Sequence, residues 1–179
     1  PQGIGVLVRR DGAPLRSLLT GGGQEHGLRA GTENVAGIVG FAVAAQIAKD
    51  TWPETGARLA VYRDELERRV LELSSGSEIF SARAPRLPNT SNFSLPGVRS
   101  DTQVMNLDLD GVAVSAGSAC SAGKVQPSHV LDAMKVDPKV ATTALRVSFG
   151  WNSKAEDVVA FIVAWRKMIQ NDHRQETAA

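Results

Sequence analysis

One short segment near the end of the sequence constrains the fold most, because its side chains alternate in character with a period of two. Three apolar residues, Leu145, Val147 and Phe149, alternate with three polar or small ones, Arg146, Ser148 and Gly150. Successive side chains of a strand point to opposite faces of the sheet, so the pattern predicts a strand with one face against a core. Arg146 then lies on the other face, where it is either solvated or able to clamp a carboxylate with its planar guanidinium.

Helical patterns dominate the first half of the chain. Residues 35–49 are apolar nearly all round and predict a mostly buried helix. Trp52-Pro53 predicts a break, and residues 54–73 predict a second helix whose many charged side chains form a solvated face. Before them, alternation over residues 4–8 predicts a strand that is covered on both sides. The two helices resemble a link from one domain into another.

The remainder of the chain alternates short strands with short helices. Strands are predicted at residues 79–80, 89–95, 112–114 and 145–149, and helices begin near residues 100, 127, 138 and 153. The last helix opens with a capping box, Ser153 to Glu156. Its predicted buried stripe is Val158, Phe161, Ile162, Trp165 and Met168. The order predicts an α/β chain whose second half is a small α+β domain, with helices on one face of a largely antiparallel sheet.

The only cysteine, Cys120, lies in a run of small residues that covers 115–123. A free cysteine in a core usually has large apolar neighbours, and none surrounds Cys120 in the sequence. Two interpretations remain open, a reactive thiol or an ordinary core or surface cysteine. His129 is a candidate base nine residues later, or an ordinary helix-surface residue. A single cysteine permits no internal disulfide and suits a reducing compartment.

A glycine-rich stretch from Gly21 to Thr32 is the second candidate site. Three consecutive glycines let the backbone approach a ligand closely, and exposed N–H groups in such loops bind anions. A surface linker is the simpler alternative. Arg29, Thr32 and the helix predicted to follow favour a phosphate or carboxylate site.

Charge and hydropathy narrow the class of protein. The formal net charge of the 179 residues is +1, which predicts neither a nucleic-acid partner nor a membrane partner. The most apolar stretch, residues 35–48, is too short to span a bilayer, and the start of the chain does not resemble a signal peptide. These features predict a cytoplasmic protein, and no metal site is predicted.

Four stretches carry a resemblance to a known family. They are PQGIGVL at residues 1–7, GGGQEHGLRAGT at residues 21–32, SAGSACSA at residues 115–122 and ALRVSFG at residues 144–150. In their order and spacing the chain resembles the cysteine desulfurases of the long-loop, sulfur-cluster-assembly branch. These are pyridoxal-phosphate enzymes of the class V aminotransferase group with the fold-type I architecture.

The resemblance implies a reaction and a role for three residues. The reaction converts L-cysteine to L-alanine, with a persulfide formed on Cys120 as the nucleophile. Arg146 corresponds to the clamp for the substrate α-carboxylate. Thr32 corresponds to the residue that reaches the pyridoxal phosphate of the neighbouring subunit across a homodimer interface. The implied acceptors of sulfur are proteins such as an iron–sulfur scaffold, in iron–sulfur cluster or thio-cofactor assembly.

The resemblance also implies that part of the family's machinery precedes Pro1. In the family the Schiff-base lysine lies a few residues before the stretch that matches residues 1–5. The implied organisation is the end of the large domain at 1–34, a linking helix at 35–54, the complete C-terminal small domain at 55–170 and a flexible tail at 171–179. We therefore expect this chain alone to self-associate, to bind pyridoxal phosphate non-covalently if at all, and to be inactive. The alternative is a non-enzymatic sulfur-carrier or protein-binding module derived from that family.

Overall fold

The computed structural model describes residues 2–116 and 128–178, with side chains described as far as residue 171. The backbone divides into two compact units, Pro1–Pro53 and Glu54–Ala179. In chain order the elements are a 3-10 turn at Gln24–Gly27, α1 at Val35–Leu73, β1 at Thr90–Ser94, α2 at Ser100–Leu109, β2 at Ser115–Ala116, α3 at His129–Ala133, α4 at Pro138–Ala141, β3 at Ala144–Ser148 and α5 at Ala155–Ala178. None of the described helices is long and apolar enough to cross a membrane.

The first unit does not contain the strand predicted at residues 4–8. Residues 4–10 have no regular secondary structure, and Val6 and Val8 are 69% and 86% exposed. A strand is stabilised by hydrogen bonds to a neighbouring strand, and no described residue pairs with this segment. The alternating pattern alone was therefore not enough to form a strand here, because a strand also needs a neighbouring strand to pair with.

Helix α1 is continuous through Pro53, so the predicted break is wrong. Proline there removes one backbone donor, and the helix is nevertheless regular on both sides. The prediction of a mostly buried first half is also wrong within the described residues. Four apolar side chains of that half are more than half exposed: Val35, Val39, Val43 and Ile47.

The second unit is built around an antiparallel sheet with strand order β1-β3-β2. Thr90 is opposite Ser148 and Ser94 is opposite Ala144, so β1 and β3 pair over their full lengths. The alternation at 145–149 and the strand at 89–95 are confirmed within a residue or two at each end. The strand predicted at 112–114 lies instead at Ser115–Ala116, where it pairs with β3.

One face of the sheet packs into the main core. Phe93, Leu145 and Val147 lie in this core with apolar residues of α1, α2 and α5. Trp165 of α5 is fully buried and packs edge-on against Phe93, with ring centroids 5.3 Å apart. Burial of each large side chain contributes about 1.5–3 kcal/mol. The predicted stripe of α5 is confirmed, because all five of its residues are buried.

Helices cover part of the opposite face as well, which corrects the prediction of helices on one face only. Phe80, Leu131 of α3 and Ala144 of β3 form a second, smaller cluster, with residues 136, 140 and 141 packed against it. Because Ala144 and Leu145 are adjacent in a strand, they point to opposite faces. The second cluster therefore covers the end of β3 at Ala144 and leaves Arg146 outside it.

Local polar contacts also differ from the sequence prediction at two places. Glu67 was expected on a solvated face, but it is only 9% exposed and forms a two-pronged ion pair with Arg86 at 2.6 and 2.7 Å. Ser91 donates its hydroxyl to the same carboxylate at 2.6 Å. At the start of α5 the expected capping box is replaced: Ser153 accepts from the Gly150 N–H.

Candidate functional site

A polar row crosses the sheet at the middle of β3. Arg146 is opposite Asn92 of β1 on one side and opposite Ser115 of β2 on the other. Directly opposed residues of antiparallel strands have Cβ atoms about 4.5–5.5 Å apart and point to the same face. The sheet therefore presents a guanidinium, an amide and a hydroxyl side by side.

Arg146 is available for a ligand. Its side chain is exposed, while its neighbours Leu145 and Val147 are buried on the core face. Among the described residues its guanidinium makes no hydrogen bond and no ion pair. An arginine held on a strand with all of its donors free can take a carboxylate in a two-pronged geometry. The sequence left this residue open between solvation and anion binding, and its free donors are compatible with both.

Asn92 was missed by the sequence analysis. Its side chain is partly buried, and its Oδ1 atom is buried without a hydrogen-bond partner among the residues the structure describes. On the outer side of β1, the Phe80 N–H donates to the backbone carbonyl of Asn92 at 2.9 Å, which brings Phe80 of the second cluster beside this residue. The alternation of Asn92 with Phe93 in the sequence indicates that Asn92 lies on the face opposite the core. That it lies beside Arg146 follows only from the register between β1 and β3.

Hydrogen bonds fix the chain just after β3 to its surroundings. The Phe149 N–H donates to the Asn89 carbonyl at 2.8 Å, and Asn89 Nδ2 donates back to the Phe149 carbonyl at 3.1 Å. Arg58 of α1 donates to the carbonyls of Trp151 and Ser153 at 2.7 and 2.6 Å. These contacts hold the chain that follows Arg146 against α1 and the residue before β1, and a residue on a strand held in this way favours a defined ligand geometry.

Cys120 lies outside the described residues. The chain enters residues 117–127 from β2 and continues from Ser128, whose hydroxyl accepts from the Leu131 N–H at the start of α3. Ser115 of β2 belongs to the polar row, because it is opposite Arg146 of β3. Only a few residues of sequence separate Ser115 from Cys120. His129 is exposed on the first turn of α3.

Arg29 donates hydrogen bonds to the backbone carbonyls of the loop that ends at Thr32. Arg29 Nη1 donates to the carbonyl of Gly31 at 2.6 Å, and to those of Ala30 and Thr32 at 3.4 Å each. The Gly31 N–H donates in turn to Gln24 Oε1 at 3.3 Å. One guanidinium thus spans three consecutive carbonyls and fixes the backbone at Thr32.

Three positions of this loop favour glycine through their backbone angles, because Gly21, Gly27 and Gly31 have φ of 141°, 77° and 99°. A Cβ at Gly22 would overlap the side-chain amide of Gln24, so no larger residue fits there without displacing that amide. Glu25 and His26 both have left-handed backbone angles, with φ of 51° and 57°. Such angles are uncommon outside glycine, so the loop follows a path that its hydrogen bonds must maintain.

The donors of this loop fit a phosphate group. Thr32 is exposed, and its hydroxyl has no hydrogen-bond partner among the described residues. The N–H groups of Gly21, Gly22 and Gly23 likewise donate to no described residue. Hydroxyls and free backbone N–H groups are the donors that phosphate oxygens accept from.

The three residues implied by the resemblance are distributed over the chain. Thr32 belongs to the first compact unit and Arg146 to the second, and Cys120 falls outside residues 2–116 and 128–178. Within those residues no group of three His, Cys, Asp or Glu side chains could hold a metal ion.

Comparison with known proteins places the sequence in a family. The sequence profile of the aminotransferase class-V family matches residues 1–161. A cysteine desulfurase of Gluconacetobacter diazotrophicus is 42% identical over 158 residues, which are 88% of this chain and 40% of that protein. An IscS-like cysteine desulfurase of Mycobacterium tuberculosis is 41% identical over 180 residues, which cover all of this chain and 46% of that protein.

Solved structures give a matching result. The X-ray structure of a NifS-like protein from Rickettsia africae has a TM-score of 0.75 and 30% sequence identity to this chain, with coverage of 87% of this chain and 40% of that one. The chain therefore spans about 40% of the length of the curated relatives it matches.

Proposed function

The chain belongs to the aminotransferase class-V family, and from this we propose that it forms part of a pyridoxal-phosphate-dependent cysteine desulfurase. Its structural neighbours are NifS-like proteins, so it has the mixed helix-and-strand architecture of fold-type I enzymes. The proposed reaction takes L-cysteine to L-alanine and leaves the sulfur as a persulfide on Cys120. The relatives named cysteine desulfurase support this reaction.

The observation that carries the proposal is the state of Arg146. It lies exposed on the central strand of the sheet between two polar neighbours, and its donors bond to no residue that the structure describes. The α-carboxylate of L-cysteine is a planar anion that matches the guanidinium fork. Arg146 would bind and orient the substrate without taking part in bond making.

Cys120 is the proposed nucleophile. Its thiolate attacks the sulfur of substrate cysteine, so a sulfur–sulfur bond forms as the substrate carbon–sulfur bond breaks. The carbon gains a proton and leaves as L-alanine, so atoms and electrons balance without an outside oxidant. A free cysteine has a pKa of about 8.5, and attack requires the thiolate form.

The cofactor has a proposed contact in this chain. Bound pyridoxal phosphate supplies the electron sink for chemistry at the substrate α-carbon. Thr32 would donate its hydroxyl to a phosphate oxygen, and the N–H groups of Gly21, Gly22 and Gly23, which donate to no described residue, would support it. We propose that this contact is made across a homodimer interface, as the resemblance implies. It also implies sulfur-acceptor proteins of iron–sulfur cluster assembly as partners and the cytoplasm as location.

Two substitutions separate the proposed roles when made in the longest natural polypeptide that contains these residues, loaded with pyridoxal phosphate. Arg146→Ala should raise the KM for L-cysteine by about 30-fold or more, because it removes the partner of the carboxylate. Cys120→Ser should abolish sulfur transfer to a protein acceptor and leave the affinity for L-cysteine unchanged. Alanine formation, sulfide release and substrate affinity are the measurements.

Arg83→Ala is the matched control, because Arg83 is an exposed arginine of the same unit that makes no hydrogen bond to a described residue. Its kinetic constants should equal those of the unmodified enzyme. If the Cys120→Ser variant passed sulfur at the normal rate, the proposed nucleophile would be wrong. If the unmodified polypeptide only accepted sulfur from a donor persulfide, it would be a sulfur carrier and not a desulfurase.

A further inference from the structure

We propose that Asn92 is a positioning residue for substrate: its side-chain carbonyl holds the Arg146 guanidinium in the orientation that receives the carboxylate. This inference deepens the proposed function and rests on it. It starts from two polar groups that are neighbours across the sheet. Neither of them has a hydrogen-bond partner within the described part of the chain.

The first observation is that a buried oxygen atom of Asn92 lacks a hydrogen-bond partner among the described residues. Asn92 Oδ1 is buried and accepts no hydrogen bond from a described residue. Burial of a carbonyl oxygen without a donor is unfavourable, and native proteins rarely retain it without a reason. The side chain directly opposite in the register belongs to Arg146, which carries only donors.

The second observation is the number of donors on Arg146. A guanidinium has five N–H donors, and a two-pronged carboxylate takes two of them. A neighbouring carbonyl oxygen can therefore accept from the remaining N–H groups while the carboxylate is bound. With both contacts made in the bound state, the plane of the guanidinium is fixed in the orientation that matches the carboxylate.

The third observation is the charge of the neighbour. Asn92 is neutral, and no carboxylate side chain pairs with Arg146 among the described residues. An aspartate at position 92 would satisfy Arg146 with an ion pair and compete with the substrate. An asparagine holds the guanidinium without neutralising it, which keeps the positive charge for the ligand.

The location of Asn92 agrees with this role. On this face of the sheet Ser94 and Ala144 form the row next to the second cluster, and Ala144 is buried. Thr90 and Ser148 form the row on the other side, and Ser148 is exposed. The row of Asn92 and Arg146 lies between them, with Asn92 Oδ1 buried and the Arg146 side chain exposed.

Binding of a carboxylate by the 179-residue chain tests this inference without any catalysis. The probe is L-alanine, titrated into ¹⁵N-labelled chain while the Arg146 Nε and Asn92 Nδ2 signals are followed. Ethylamine, which lacks the carboxylate, is the matched control. We expect both signals to shift with L-alanine only, and Asn92→Ala to weaken binding about tenfold, as for loss of a hydrogen bond to a charged group.

Three variants separate positioning from a structural role. Asn92→Ala should keep or raise Tm, since it removes a buried unpartnered atom, and with L-alanine bound it should increase the mobility of Arg146 Nε in ¹⁵N relaxation. Asn92→Asp should weaken L-alanine binding more than Asn92→Ala does. Ser148→Ala, one row away on the same face, should change neither binding nor relaxation.

The outcomes for the two proposals are distinguishable. Equal L-alanine affinity of the chain and its Asn92→Ala variant, or an Arg146 signal that L-alanine does not move, overturns the positioning role. Absence of alanine formation from L-cysteine in the longest natural polypeptide overturns the proposed function. If that polypeptide is active, Asn92→Ala should raise its KM for L-cysteine about tenfold with kcat nearly unchanged.

Discussion

Glu67 is a charged residue that the structure nevertheless buries. Its carboxylate pairs with Arg86 and accepts the hydroxyl of Ser91, and its side chain is 11% exposed. The Glu67 carboxylate raises the pKa of the Arg86 guanidinium through their hydrogen bond, so the guanidinium keeps its charge. The contact joins α1 to β1 and to the loop before it.

Loss of this carboxylate should destabilise the fold. Glu67→Ala leaves the Arg86 guanidinium, which is 19% exposed, without its partner, so we expect the free energy of unfolding to fall by about 2 kcal/mol. Glu72→Ala, which removes an exposed ion pair with Arg68 on the same helix, should have a much smaller effect. Urea denaturation of both variants measures the difference, and equal losses would contradict this account.

The sequence identified Arg146 and not Asn92 for a physical reason. Alternation along one strand is enough to assign Arg146 to the face opposite Leu145 and Val147. Asn92 becomes relevant only through the pairing of two strands more than fifty residues apart in sequence, and no local pattern encodes that register. Glu67 was misjudged similarly, because its partner Arg86 lies in a distant loop.

At the scale of elements, the predictable ones are those that pack against a core of this chain. β3 and α5 have clear periods, and their apolar faces are buried as predicted. The pattern at residues 4–8 is also regular but has no pairing partner among the described residues. Periodicity therefore predicts which face is apolar, whereas the neighbour decides whether the element forms.

Replacing Pro53, which lies inside α1, should stabilise the fold. A proline inside a helix removes a backbone hydrogen bond and crowds the preceding turn. Pro53→Ala should restore the bond to the Lys49 carbonyl and raise the free energy of unfolding by about 1–3 kcal/mol. Chemical denaturation followed by circular dichroism at the helical signal measures this.

Pro138 provides the comparison for that experiment. It occupies the first turn of α4 after Asp137, which caps the helix by accepting from the Lys139 N–H. A proline is tolerated in a first turn because its missing N–H would have had no partner, so Pro138→Ala should leave stability nearly unchanged. A Pro53→Ala variant no more stable than the parent would mean that α1 is not strained at Pro53.

At the scale of the whole molecule, the two compact units differ in how much apolar surface they leave exposed. The described part of the first unit exposes many large apolar side chains, namely Val6, Leu7, Val8, Leu18, Leu19, Val35, Val39, Val43 and Ile47. The second unit has a core with fully buried aromatic and aliphatic residues on a sheet. Exposed apolar surface of this extent is typical of a surface that other protein covers.

We therefore expect the 179-residue chain to self-associate and residues 54–179 alone to fold as a monomer. The apolar side chains of the first unit supply the driving force, and the second unit holds both core clusters. Size-exclusion chromatography with light scattering on the two polypeptides measures the difference. A monomeric 179-residue chain at high concentration would show that those side chains do not drive association.

The most direct test of the proposed desulfurase is to locate the sulfur after one turnover. The longest natural polypeptide containing this chain, loaded with pyridoxal phosphate, is mixed with ³⁵S-labelled L-cysteine and then digested under conditions that preserve persulfides. We expect the label on the peptide containing Cys120, in equal amount to the L-alanine formed, and no label on the Cys120→Ser variant. L-Alanine formed with the label on any other residue, or no L-alanine at all, would contradict this proposal.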